Sequence, residues 1–226
     1  MMKVKMTLYV GAALLGLLCS VACSGTATRS GSATNNAQTD SQKNEVIIDS
    51  SLSIVEAVGN QDIPENVKAQ LCLLDVRYYS LDGKLHQGQL VIHNSLKDDV
   101  AGVFDEISGS RFPIAKVIPV SRYNFSDELS MQDNNTSAFN YRTVEGTNVL
   151  SNHALGRAID INPLFNPYIR GEEVDPDGAK YDSEIPGTIL RDGVVVRAFK
   201  QRGWSWGGDW NSLKDYQHFE KNESQK

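Results

Sequence analysis

The stretch LSNHALGRAIDINP occupies residues 150–163 and places one of the four histidines of the chain seven residues before an aspartate. His153 precedes the run RAIDIN, in which Ile159 and Ile161 flank Asp160 with the period-two apolar spacing of a short β-strand. Gly156 allows the backbone to turn between the two polar residues, which would bring both side chains to the same side. An aspartate in an apolar strand is costly unless it is paired or binds a metal. The stretch therefore predicts two ligands of a metal site.

A catalytic zinc site needs three protein ligands and one open position for water. Of the other three histidines, His218 in DYQHFE is the best placed third ligand, because it lies in a predicted terminal strand. His86 and His93 lie in a predicted hairpin and are expected to be structural. Asp215 precedes His218 by three residues and is the predicted base, since one Zn²⁺ would lower the pKa of water toward ~7 and a nearby carboxylate would take the proton.

The pattern S-x-H-x-x-G-x-A-x-D resembles the signature of the zinc D,D-peptidases, which include D-Ala-D-Ala carboxypeptidases, D-Ala-D-Ala dipeptidases and L-alanyl-D-glutamate endopeptidases. It is present as Ser151, His153, Gly156, Ala158 and Asp160. Downstream, GWSWGGDW and DYQHFE are similar to the endopeptidase branch, where an Asp rather than a Glu precedes the last histidine by three. The segment TSAFNYR resembles the part of that branch that carries an arginine toward the substrate. The resemblance covers roughly residues 70–220.

Carried over position by position, the resemblance implies zinc ligands, a base and two substrate-binding residues: His153, Asp160 and His218; Asp215; Arg142 and Ser151. It implies an α+β fold of the Hedgehog and D,D-peptidase type, a small antiparallel sheet with flanking helices and the zinc on the sheet face. The implied function is a zinc peptidase that hydrolyses peptidoglycan stem peptides with metal-activated water. Whether the bond is L-Ala–D-Glu or one that involves D-Ala stays open.

Two other functions are weighed against this one. Hedgehog-type relatives keep a zinc in a non-catalytic binding module, and loss of the base would favour that alternative, so Asp215 argues against it. A plain lipoprotein scaffold is disfavoured because the polar residues form a site pattern. The three tryptophans, Trp204, Trp206 and Trp210, either pack in the core or form a wall of the substrate groove.

Local patterns predict a mixed α+β domain. Two apolar runs around Asp82-Gly83 predict a β-hairpin. A helix is expected from a capping box of Ser95 and Asp98 to Gly109, and another between Asp192 and Gly203. FPIAKVIPV and residues 216–220 are predicted strands, whereas residues 121–150 and 163–187 are predicted loops.

The N-terminus predicts export. Lys3 and Lys5 precede the uncharged stretch 6–22, which is typical of a signal peptide, and Cys23 follows small residues as in a bacterial lipoprotein. We expect a signal peptide at residues 1–22, an acylated Cys23, a disordered Ser/Thr-rich tether at residues 23–45 and a peptidase domain at residues 46–222. Plain cleavage and an uncleaved anchor are the alternatives.

The composition limits the partners of the chain. A net charge of −6 gives no electrostatic basis for binding nucleic acid. Cys72 lies in an apolar run, and we expect an inert thiol and no disulfide framework. The expected partners are peptidoglycan peptides and, through the lipid, a membrane. The expected state is a monomer in the cell envelope, facing the periplasm, or a secreted protein.

Overall fold

The computed structural model describes residues 45–222 of the 226-residue chain. The predicted signal peptide, the acylation of Cys23 and nearly all of the predicted tether lie outside the described residues and stay predictions. None of the helices within residues 45–222 has the length and apolar character needed to cross a membrane.

The described residues form short helices and short strands in mixed order. The helices are α1 (Ile54–Val58), α2 (Glu65–Lys68), α3 (Lys97–Gly109), α4 (Asp127–Gln132) and α5 (Val194–Lys200). The strands are β1 (Ile47–Ile48), β2 (Leu71–Tyr79), β3 (Leu85–His93), β4 (Lys116–Val117), β5 (Asn135–Thr136), β6 (Ala158–Asp160), β7 (Tyr168–Arg170), β8 (Glu173–Asp175), β9 (Ser205–Trp206), β10 (Lys214–Asp215) and β11 (His218–Glu220). Single 3₁₀ turns lie at Asn94–Leu96, Val120–Tyr123, Asn152–Leu155 and Gly207–Asp209. The predicted α+β class is confirmed, with small sheets and few helices.

The predicted hairpin is formed by β2 and β3, which pair antiparallel from Leu71 opposite His93 to Tyr79 opposite Leu85. Its turn contains Gly83 with a φ of +76°, a conformation that favours glycine. β1 adds to the outer edge of β3 in parallel. The expected structural role of His86 agrees with its contacts, because its ring bridges Asp49 and Asp82 at 2.8 and 3.3 Å.

Helix α3 covers the hairpin with the apolar face that the sequence pattern predicts. Val100, Val103, Phe104 and Ile107 are buried at i, i+3, i+4 and i+7. Burying each such side chain contributes about 1.5–3 kcal/mol. The predicted capping box is wrong. Leu96 is the N-cap residue without a side-chain cap, and the Ser95 hydroxyl instead bonds the His93 ring at 2.8 Å.

Helix α5 packs beside α3, and its apolar side chains extend the core to the last strand, β11. The rings of Phe199 and Phe219 stack with centroids 4.1 Å apart. Trp204 and Trp206 are buried in the same cluster, which agrees with the packing role considered for them. The N-cap of α5 is Gly193 rather than the expected Asp192.

A three-stranded antiparallel sheet in the order β6-β11-β9 brings together segments more than 50 residues apart in the sequence. Contrary to the prediction, the two segments expected to be loops contain regular structure. The first contains α4 and β5, and the second contains the hairpin β7–β8, whose strand β7 also pairs with β10. These elements are too short to produce a clear period in the sequence. Conversely, the expected strand in FPIAKVIPV shrinks to β4.

Asn162 fixes the chain where it leaves β6. Its side chain is fully buried, accepts a hydrogen bond from the amide of Ala115 at 2.9 Å, and donates to the carbonyls of Pro113 and Gly187 at 3.0 Å each. Its φ is +48°, in the left-handed region that Asn tolerates better than most residues.

We expect Asn162→Ala to lower the free energy of unfolding by about 2–4 kcal/mol, because buried polar groups lose their partner. Asn124→Ala is the matched control. Asn124 also has a positive φ, of 52°, but is exposed, so its replacement is expected to cost about 1 kcal/mol. Chemical denaturation of both variants measures the difference, and equal losses would show that the buried hydrogen bonds of Asn162 do not stabilise the fold.

Candidate metal centre

His153 is presented by a tight turn. It lies in the 3₁₀ turn Asn152–Leu155, whose N-cap is Ser151, and the Ser151 hydroxyl accepts a hydrogen bond from the His153 amide at 3.2 Å. Gly156 ends the turn with a φ of +63°, and a Cβ there would lie 2.6 Å from the amide nitrogen of His93. Glycine is therefore required at this position for both space and conformation.

Asp160 and His218 are directly opposite each other on the antiparallel strands β6 and β11. Side chains at such paired positions lie on the same face of a sheet, with Cβ atoms about 4.5–5.5 Å apart. The Asp160 Oδ1 atom lies 2.9 Å from Nδ1 of His218. The register of two strands thus brings together residues 58 positions apart in the chain.

The three predicted ligands lie together. His153 Nε2 is 3.1 Å from Asp160 Oδ2 and 3.3 Å from His218 Nδ1. Ligand atoms bound at about 2.0–2.1 Å to a tetrahedral metal ion lie roughly 3.3 Å from each other. Both histidines are buried, with exposed fractions of 4% and 8%. The group therefore fits a metal ion in its atom types and in its spacing.

Both rings have a hydrogen-bond acceptor at the nitrogen that does not face the cluster. The His153 Nδ1–H donates to the carbonyl of Ala138 at 2.5 Å. His218 Nε2 lies 3.2 Å from a carboxylate oxygen of Glu220. The same oxygen accepts a hydrogen bond from the side-chain amide of Asn152 at 2.6 Å. Glu220 and Asn152 were not singled out in the sequence. The signal for Glu220 is its spacing, because residues i and i+2 of a strand share a face.

Charges in the cluster support one another. Burial opposes ionisation of Asp160, but His153 and His218 outweigh it and hold the pKa of this carboxyl far below its usual range. Burial likewise opposes the charge on His218, yet its bonds to Asp160 and Glu220 raise its pKa to about 10. The site without metal is thus a set of paired charges, and a cation that binds must replace the proton on the His218 Nδ1 atom.

Asp215, the predicted base, lies on β10 close enough to interact electrostatically with all three cluster residues. Its Oδ1 atom is buried and has no hydrogen-bond partner among the described residues. Burial raises the pKa of Asp215 to about 7, against an opposing effect of His218. The glycine pair after Trp206 permits this placement, since a Cβ on Gly207 would lie within 2.4 Å of the Asp215 carbonyl. A carboxylate with one unpartnered oxygen and a pKa near neutrality can accept and return a proton.

Arg142 is not drawn into the cluster in this structure. Its guanidinium pairs with Asp127, whose carboxylate also accepts a hydrogen bond from Asn140 at 2.7 Å. The Arg142 carbonyl accepts from the amide of Ser151 at 3.1 Å, so its backbone runs beside the turn that presents His153. The hydroxyl of Ser151 acts as a turn cap. The substrate-binding roles of Arg142 and Ser151 stay predictions.

Trp210 differs from the other two tryptophans. It is half-buried, and its ring centroid lies 5.5 Å from that of His218. Its carbonyl accepts a hydrogen bond from Lys214 at 2.5 Å, which holds the segment that connects it to β10. Of the three tryptophans, Trp210 is therefore the candidate for a wall of the substrate groove.

The pKa of Asp215 predicts a pH-dependent stability difference in the metal-free protein. The folded-state pKa of about 7 lies above the ordinary value of 3.8, so the folded state holds its proton longer and wild-type stability falls as pH rises between these values. Asp215→Asn mimics the protonated form. We expect its stability relative to wild type to grow from pH 4 to pH 7, by on the order of 2–4 kcal/mol, and then to level off. Urea unfolding at several pH values tests this, with the exposed Asp192→Asn as the matched control. A difference that does not change with pH would contradict the raised pKa.

The C-terminal part of the chain, which contains the three candidate ligands and Asp215, is similar to a known peptidase family. The sequence model of a family described as D-alanyl-D-alanine carboxypeptidase matches residues 145–221, about a third of the chain. No solved structure matches the chain. The matched segment includes β6, β10 and β11 and the turn that carries His153. The mixed α+β architecture is compatible with such a peptidase. The family predicted from the sequence, that of the zinc D,D-peptidases, is confirmed by this match over residues 145–221.

Proposed function

We propose that this chain is a zinc-dependent peptidase that hydrolyses the stem peptides of peptidoglycan. The observation that carries the proposal is the cluster of the buried His153 and His218 with the partly buried Asp160, near an Asp215 carboxylate that has one unpartnered, buried oxygen. The family match supports a peptidase of the metal-dependent D,D-peptidase type. The substrate class follows from that family, whereas the metal, the base and the cleaved bond are proposed for this chain.

Zinc is the proposed ion because of the donor set. Two imidazole nitrogens and one carboxylate form a ligand set of the kind that catalytic zinc uses, and three protein ligands leave one position open. One ion would lie on the face of the β6–β11 sheet that carries Asp160 and His218. When bound, zinc supplies a Lewis acid that polarises the scissile carbonyl and lowers the pKa of water.

Asp215 moves the proton. Its Oδ1 atom accepts the proton of the attacking water and then returns it to the leaving amine nitrogen, as a general base and general acid in turn. Burial favours the protonated form of Asp215, whereas a neighbouring dication would favour the ionised form. The two opposing effects would keep the pKa of this carboxyl near the operating pH. The alternative function, a non-catalytic binding module, would not require a carboxylate in this position.

Substrate binding is proposed for the rim of the site. Arg142 would bind a substrate carbonyl or carboxylate, which must then compete with Asp127 for the guanidinium. Ser151 would line the site, and the half-buried Trp210 would pack against the peptide. The family description names a carboxypeptidase, whereas Asp215 in place of Glu resembles the L-alanyl-D-glutamate endopeptidases. Both bonds remain candidates.

We further propose that the domain works at the cell envelope. The signal sequence at residues 1–22 and Cys23 support a lipoprotein, and the tether at residues 23–45 would let the domain reach peptidoglycan from the membrane. The domain is proposed to act as a monomer.

Metal removal tests the proposal directly. Purified protein incubated with peptidoglycan is expected to release new amino termini at one type of bond, to lose this activity after chelation, and to regain it with Zn²⁺. Mass spectrometry of the products identifies the bond and so separates the endopeptidase from the carboxypeptidase. Metal binding without any product would favour the binding module.

The role of Asp215 is tested by Asp215→Asn, which keeps the shape of the side chain and removes its basicity. We expect turnover to fall by about 10²–10⁴-fold while bound zinc is retained, since general acid–base catalysis contributes that much. Asp192→Asn, an exposed change of the same type, is expected to leave turnover unchanged. Turnover of Asp215→Asn at the wild-type rate would reject this residue as the base.

A further inference from the structure

We propose that Glu220 and Asn152 form a positioning pair that holds His218 with its Nδ1 atom available to the metal and links the two ligand-bearing segments. The inference deepens the proposed function, because it rests on a metal that binds His153, Asp160 and His218. It assigns a role to two residues outside the ligand set and the proposed base. Neither residue contacts the substrate in this proposal, and both act through the ligands.

The geometry of β11 provides the first step. His218 and Glu220 are two residues apart on one strand, so their side chains project from the same face of the sheet. His218 Nε2 lies 3.2 Å from Glu220 Oε2. The carboxylate is half-buried, with an exposed side-chain fraction of 22%. A carboxylate oxygen accepts, so this contact is a hydrogen bond donated by the ring N–H of His218 to Glu220.

The second step concerns the two rings. His153 faces the cluster with Nε2, whereas His218 faces it with Nδ1. A neutral imidazole ligand carries its single proton on the nitrogen that does not bind the metal. His153 must therefore be protonated at Nδ1, where the Ala138 carbonyl accepts, and His218 at Nε2, where Glu220 accepts. The two ligands need opposite tautomers, and each has its own acceptor.

Asn152 provides the third step. Its side-chain amide nitrogen donates to the same Glu220 oxygen at 2.6 Å, which gives the carboxylate a second donor besides the His218 ring. Asn152 immediately precedes His153 in the 3₁₀ turn. Two hydrogen bonds to Glu220, one from Asn152 and one from His218, thus connect the turn that carries His153 to the His218 ring. Asp160, the remaining proposed ligand, is paired with His218 across β6 and β11.

Removal of such an outer partner typically costs 10–100-fold in metal affinity. We expect Glu220→Ala to show a loss of this size. Glu220→Gln keeps one acceptor oxygen but must share it between two donors without a charge, so an intermediate loss is expected. Asn152→Ala should cause a smaller loss. The double variant should bind as weakly as Glu220→Ala alone, because Asn152 acts through Glu220.

The experiment measures Zn²⁺ affinity of the full chain by competition with a chromogenic chelator, together with the visible absorption spectrum of the Co²⁺ form. The spectrum reports ligand geometry, which a general loss of stability would not change. Thermal unfolding of each metal-free variant verifies folding. Glu184→Ala is the matched control, because Glu184 is exposed and outside the site. It should match wild type in all three measurements.

Affinities of Glu220→Ala and Asn152→Ala within twofold of wild type, with unchanged Co²⁺ spectra, would overturn the inference. Additive losses in the double variant would also overturn it, since the two residues would then act separately. If Glu220→Ala does not fold, Glu220→Gln and Asn152→Ala decide. A wild-type protein that binds zinc but cleaves no peptidoglycan rejects the proposed peptidase and leaves this inference intact. A wild-type protein that binds no zinc overturns both.

Discussion

The pairing of β6 with β11 is the constraint on which the rest of the site depends. It sets Asp160 opposite His218, and it places Glu220 two residues further along the same face. A shift of the register by one residue would turn these side chains to the other face of the sheet. The buried stack of Phe219 on Phe199 and the burial of Ile159 hold the register from the opposite side. One face of this sheet thus packs into the core, and the other face carries Asp160 and His218.

Buried polar groups near this sheet are costly unless they form hydrogen bonds, and the candidate ligands all have partners. The carboxylate of Asp160 is buried between two imidazoles, and the outer nitrogens of both rings have acceptors. Asp215 and Gln217 are exceptions, since the buried Asp215 Oδ1 and Gln217 Oε1 atoms have no hydrogen-bond partner among the described residues. Proteins seldom leave a buried carboxylate oxygen unpaired outside a functional site. The unpartnered oxygen of Asp215 belongs to the proposed base.

Much of this could be predicted from sequence, and the reason lies in spacing. The pattern around His153 and Asp160 needs a turn followed by a strand, and Gly156 with the flanking isoleucines specifies both locally. The hairpin at Asp82-Gly83 and the apolar stripe of α3 are equally local signals. Other features could not be predicted in this way: the β7–β8 hairpin, the hydrogen bond from His153 to the Ala138 carbonyl, and the Asn152–Glu220 contact. They depend on tertiary pairing between segments whose own patterns are too short or too polar to indicate a partner.

The long separation of His218 from the other two ligands has a further consequence for how the ion is acquired. Residues 153 and 160 are neighbours along the chain, but the third donor joins them only after the C-terminal strand has docked. A nascent or denatured chain would therefore offer an incomplete chelate, and the proposed metal site would be complete only in the native topology. The metal content of a preparation would then depend on the ions present when folding finishes.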